Sequence, residues 1–139
     1  MSAATLRNQY LRDQVLNATP ARLLTMLYDR LLLDLNRAAG FQEAANWPAA
    51  SEQLKHAQDI VTELSSSLKT DVWDGAAGLF ATYTYVGNAL MNANIHRNIE
   101  LTREAIALLE PLRQAWHEAA LAPVQGAPLP MTGGTLGVG

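Results

Sequence analysis

The chain has 139 residues, a net charge of −3 and no cysteine. This length suits one domain. The missing cysteine removes disulfides, thiolate nucleophiles and cysteine-type zinc sites, and it fits a reducing compartment. No basic run is present to neutralise phosphates, so nucleic-acid binding is set aside. Hydrophobic residues make up 49% of the chain, with abundant Ala and Leu, which favours helix and supplies one continuous core. The stretch from Met1 to Gln14 has no apolar segment of the secretory kind, so a cytoplasmic location is expected.

Four helical patterns follow one another. The first opens at Thr19-Pro20, a candidate N-cap followed by a proline suited to the first turn. Leu24, Leu27, Tyr28, Leu31, Leu35 and Ala38 recur at helical spacing, and Gly40 is expected to end the helix. Trp47-Pro48 opens the second, whose stripe is Leu54, Ala57, Ile60, Val61, Leu64 and Leu68. Lys55, Asp59, Glu63 and Lys69 mark its solvated faces. The third is predicted from Asp74 to Ala93, with a core stripe of Ala76, Leu79, Phe80, Tyr83, Val86 and Leu90. The fourth follows a break at Asn94–Asn98 and runs to about Ala120. It turns Leu101, Ala105, Leu109, Leu112 and Trp116 one way, and Pro111 is expected to kink it. Short breaks favour antiparallel neighbours, so the expected fold is an all-α, up-down four-helix bundle over residues 19–121. A short N-terminal arm, residues 1–18, precedes it. An uncharged Gly- and Pro-rich tail, residues 122–139, follows and reads as disordered.

Catalytic chemistry finds no support. A di-iron bundle needs paired Glu-x-x-His motifs, and none is present. His56, His96 and His117 fall in separate segments without ligand spacing and read as surface or helix-end residues. Ser65, Ser66 and Ser67 have no matched base. No metal or cofactor is expected. Leu129-Pro130-Met131-Thr132-Gly133 spells a sortase-type motif, but no apolar segment and basic tail follow it. It reads as chance or as a labelling tag.

Gly75 to Ile95 contains no charged side chain. Its glycines, asparagines and hydroxyls make it too polar for a membrane span, so membrane insertion is not expected. A bundle helix usually carries charge on its solvated face. Here the face opposite the expected core reads Gly78, Ala81, Tyr85, Asn88, Ala89 and Asn92, small and neutral residues that allow close approach by a partner. Met26 and Leu33 of the first helix lie opposite that helix's core stripe and join the candidate partner surface. A homodimer or a wider core would account for the same apolar excess.

The stretch Ala18-Thr19-Pro20-Ala21-Arg22-Leu23-Leu24-Thr25-Met26-Leu27-Tyr28-Asp29 resembles the opening of the first long helix in the flagellar export chaperone family FliS. Leu54 to Val61 is a second match. Tyr83-Thr84-Tyr85 with Leu90, Ala93-Asn94 and Asn98 is a third, and Leu108-Leu109, Leu112-Arg113 and Ala115-Trp116 a fourth. The order and spacing are close to those of the family over residues 10 to about 120. Gly87-Asn88 and Ile99 depart from it, standing where members often carry basic residues and an Asp. The resemblance implies an antiparallel bundle that binds the C-terminal segment of flagellin, prevents its early polymerisation and delivers it to the flagellar export apparatus. The apolar content of the arm carrying Tyr10, Val15 and Leu16, together with the family's Tyr at a similar place, leads to the expectation that the arm lies over part of the groove when empty, so Tyr10 and Leu16 join the candidate site. The reading kept beside it is a homodimeric bundle adaptor or regulator without a flagellin client.

Overall fold

The computed structural model describes residues 2–6, 20–68 and 75–121. Four helices carry the fold: α1 (Pro20–Glu43), α2 (Trp47–Ser67), α3 (Gly75–Ile95) and α4 (Ile99–Leu121). Residues 3–6 form one further turn, capped by the Ser2 hydroxyl, which accepts from the Thr5 N–H at 3.1 Å. No strand occurs among the described residues. The fold is an all-α, up-down antiparallel bundle in which α1 packs on α2 and α4, and α3 packs on the same two from the other side.

Both described turns lie at one end and are closed by the same device. The Asn46 N–H bonds the Phe41 carbonyl at 2.8 Å, and the Asn98 N–H bonds the Ala93 carbonyl at 3.0 Å. Ala45 (φ 57°) and Arg97 (φ 52°) supply the left-handed residue that this C-cap requires. This explains one departure from the sequence reading. Gly40 does not stop α1, because the carbonyl-satisfying bonds form around Ala45 instead, and the helix continues to Glu43. Likewise α3 reaches Ile95, beyond the expected Ala93. Asn46 then caps α2 by accepting from the Ala49 N–H at 3.4 Å, and the Asn98 side chain accepts from the Glu100 N–H at 3.0 Å as α4 begins. The expected cap Thr19 lies outside the described residues. α4 runs through Pro111 without a break. Pro111 and Ala107, whose carbonyl loses its donor, are both exposed, so water can take that bond.

The core is one cluster centred on Tyr28, Leu31, Leu35, Leu54, Leu64, Tyr83, Leu90, Leu109 and Trp116. Tyr28 of α1 and Tyr83 of α3 share a hydroxyl–hydroxyl hydrogen bond across the bundle diagonal. The Trp116 ring lies 6.5 Å from that of Tyr28. Leu24, Leu27, Leu101 and Leu112, expected in the core, are partly buried and pack against it from its edges. A polar clip spans three helices near the two turns: the Thr102 hydroxyl of α4 donates to the Gln42 side-chain Oε1 of α1 at 2.7 Å, and Gln42 Nε2 donates to the Ala93 backbone carbonyl of α3 at 3.4 Å.

Leu35→Ala empties a fully buried site and is expected to cost about 2–5 kcal/mol of unfolding free energy in urea titrations. Leu27→Ala, at the core's edge, should cost clearly less; equal losses would place Leu27 in the core proper. Burial also pushes the phenols of Tyr28 and Tyr83 above their ordinary value of 10.0. The folded state therefore keeps protons that the unfolded chain releases, and the resulting stability, full below about pH 10, is lost as pH rises beyond it. Urea midpoints should fall between about pH 9 and pH 11, and fall less in the Tyr28→Phe/Tyr83→Phe variant; identical slopes would refute the assignment.

Candidate functional site

At about 100° per residue, the seven buried residues of α3 fall on one arc centred between Tyr83 and Val86. The remaining residues of the helix are exposed or partly buried, and none of them is charged. Phe80 (47% exposed), Tyr85 (51%), Met91 (47%) and Ile95 (65%) lie on this surface among Ala77, Ala81, Asn88 and Asn92. Leu108 of α4, 40% exposed, lies one turn beyond Glu104 on the edge of α4 that faces α3. α3 and α4 meet less extensively than the other adjacent pairs. Tyr85 of α3 links the two, donating to Glu104 Oε1 at 2.7 Å. That hydrogen bond, then the carboxylate's charge, raises the Tyr85 phenol above its ordinary range.

The other three helices look different. Arg30 pairs with the wholly buried Asp34 of α1 at 2.9 Å, and His56 of α2 meets the other oxygen of the same carboxylate. Arg113 of α4 pairs with Asp29 at 3.2 Å and with Glu110 at 2.8 Å, and His117 reaches Asp29 at 2.6 Å. Arg103 links Glu43 and Glu100. The bond from Arg113 holds the Glu110 carboxyl below its usual range. His56 and His117, read from the sequence as surface or helix-end residues, therefore tie α1 to its two neighbours. Every ion pair among the described residues leaves α3 out.

Gly78, Ala81, Tyr85, Asn88 and Asn92 are exposed on α3, four of them grouped around the α4 edge and the outermost line of the helix. Ala89 is buried at 6% and cannot meet a partner in this state. Phe80, by contrast, is out of the core stripe assigned to it. Both corrections have one cause: the buried arc is turned toward α4, taking Ala89 in and leaving Phe80 out. Met26, half-buried, and Leu33, 41% exposed, lie on the outer side of α1. Since α1 and α3 face each other across the diagonal, these two residues look away from the α3 surface and do not join it. Tyr10 and Leu16 lie outside the described residues, as do the tail and its Leu129–Gly133 motif. The sequence reading missed Phe80, Met91 and Ile95, whose spacing along one edge of α3 was the available signal.

Residues 3–123 match the family described as Flagellar protein FliS. The chain belongs to this family. It is 32% identical to the flagellar secretion chaperone FliS of Escherichia coli (strain K12), over 78% of this chain and 82% of that one. It is 31% identical to the protein of the same name from Bacillus subtilis (strain 168), over 79% and 82%. Among solved structures, a crystal structure of a bacterial flagellar chaperone superimposes with a TM-score of 0.67 at 15% identity, covering 86% of this chain and 98% of that one. FliS proteins are chaperones of flagellar secretion, not enzymes. No helix of the described residues is long and apolar enough to cross a membrane.

Because Phe80 and Met91 are half exposed, Phe80→Lys and Met91→Lys should each change unfolding free energy by less than about 1 kcal/mol. A loss of several kcal/mol in urea titration would show that this edge is buried.

Proposed function

We propose that this chain is a cytosolic export chaperone that binds the C-terminal segment of flagellin one-to-one, prevents its premature polymerisation and passes it to the flagellar export apparatus. The observation that carries this reading is the uncharged outer surface of α3, in contrast to the charged outer faces of the other three helices and the ion pairs of α1 and α4. A segment that polymerises through an apolar stripe needs an equivalent apolar surface to keep it single. Ordering such a segment costs about 1–2 kcal/mol per residue in backbone entropy, so the offsetting contact must be long. The α3 face, with 21 residues at 1.5 Å rise, offers about 30 Å.

Gly78, Ala81, Tyr85, Asn88 and Asn92 are the proposed contacts, extended by Phe80, Met91 and Leu108. A Cβ added at Gly78 would meet nothing within 4 Å among the described residues, and close approach by a client backbone supplies a reason for glycine there. Tyr10 and Leu16 are proposed to lie over this surface when no client is bound. A homodimer through the same face is the alternative, and stoichiometry separates the two.

Titration calorimetry of this chain with a peptide covering the C-terminal region of the same organism's flagellin should give one-to-one binding with a large negative heat-capacity change. Tyr85→Glu should weaken binding at least tenfold, on the order of 1.4 kcal/mol or more, with the fold intact. Gly78→Ala should stabilise the helix by about 0.5–1 kcal/mol and still weaken the client. Absence of binding by a chain that sediments as a dimer would favour the adaptor reading.

A further inference from the structure

At the end of the bundle that holds the two described turns, a cavity of about 360 Å³ opens to solvent. Trp47, Pro48 and Leu54 line it from α2, and Ala93 and Ile95 from α3. No carboxylate lines it, and Arg97 is the single charged residue on its wall. The guanidinium stands 5.2 Å from the centre of the Trp47 ring. It meets no carboxylate among the described residues; Glu43 and Glu100 pair with Arg103.

Arg97 also occupies the left-handed backbone region, where glycine or asparagine sits at less cost. The C-cap of α3 accounts for that backbone conformation, as the C-cap of α1 does at Ala45, and it leaves the Arg97 side chain exposed over Trp47. Ile95 gives the setting: it lines the cavity and is 65% exposed, so it joins the cavity to the uncharged surface of α3. Met91, 47% exposed, stands one turn before Ile95 on α3 and leads from that surface toward the cavity.

We propose that this cavity receives the C-terminal end of the segment laid along α3. The last apolar side chain enters beside Trp47, and the terminal carboxylate pairs with Arg97. A chain that follows α3 past Met91 reaches the cavity only where the bundle ends. A terminus can stop there, whereas a continuing chain would have to leave into solvent over the two turns. The lining suits that occupant: Trp47, Leu54 and Ile95 offer apolar contact, Gln42, Ser51 and Asn94 offer polar groups, and Arg97 is the single charge on the wall. The inference rests on the chaperone reading and adds the direction and end point of the client.

The test is calorimetry of the intact chain with the same flagellin C-terminal peptide made in two forms, free acid and C-terminal amide. The amide should bind about three- to tenfold more weakly, the range of one partly exposed charge-assisted pair. Arg97→Gln should bind both forms equally, at the level of the amide. Arg97→Gly should relieve the backbone strain and raise the melting temperature, yet also lose the preference for the acid. Equal affinity of the two forms for the unaltered chain overturns the proposal while leaving the chaperone reading in place. If Arg97→Gln then weakened both forms alike, Arg97 would belong to a side-chain carboxylate of the client instead. Binding of neither form by the unaltered chain would remove both readings.

Discussion

Helix α3 has to be held in the bundle without a charge of its own. The other helices are fastened in pairs: α1 to α2 through Asp34 and His56, α1 to α4 through Asp29, Arg113 and His117. α3 is fastened by apolar packing and by three hydrogen bonds, Tyr83 to Tyr28, Tyr85 to Glu104 and the Ala93 carbonyl to Gln42. Two of the three reach α1 through the core, and they are what keeps the helix seated while its outer side stays unarmoured. Exposed ion pairs stabilise by less than about 1 kcal/mol each, so leaving them out of α3 costs the fold little. It leaves a surface that other chains can approach without first stripping water from charges.

Two sets of buried polar groups are satisfied by partners that include other helices. Asp34 is wholly buried, yet it is met by Arg30 one turn before it and by His56 on α2. Thr102, Gln42 and the Ala93 carbonyl complete one another across three helices. Removing one member of such a set leaves another unsatisfied, which is how a core specifies one arrangement of helices over its alternatives.

Periodicity made the helices legible, and with them the antiparallel bundle: Trp47-Pro48 marked a start, and the stripes of Leu54 to Leu64 and of Tyr83 to Leu90 marked buried faces. The ordered motifs around Tyr28, Tyr83 and Trp116 made the family legible. Which edge of a stripe is covered was not legible, because a period fixes the spacing of a face and not the position of its neighbours. Ala89 and Phe80 exchanged places for that reason. Gly40 misled because a C-cap is defined by its hydrogen bonds, and Ala45 adopts the required conformation without being glycine. The burial of Asp34 could not be read at all, since its histidine partner stands 22 residues away on another helix. For the surface of α3, the absence of charge was the visible signal. The cavity beside Trp47 had no signal in the sequence, because three separate segments build it.

The two capped turns have a consequence for how the chain reaches this state. Residues 44–46 and 96–98 join α1 to α2 and α3 to α4 as tight helical hairpins, each closed by its own local hydrogen bonds. Most of the pairing that builds the bundle is therefore between neighbours in sequence, the regime in which helical domains fold in microseconds to milliseconds. The first hairpin is complete in sequence before the uncharged helix has left the ribosome, so the most aggregation-prone stretch of the chain emerges with half of its final packing surface already made.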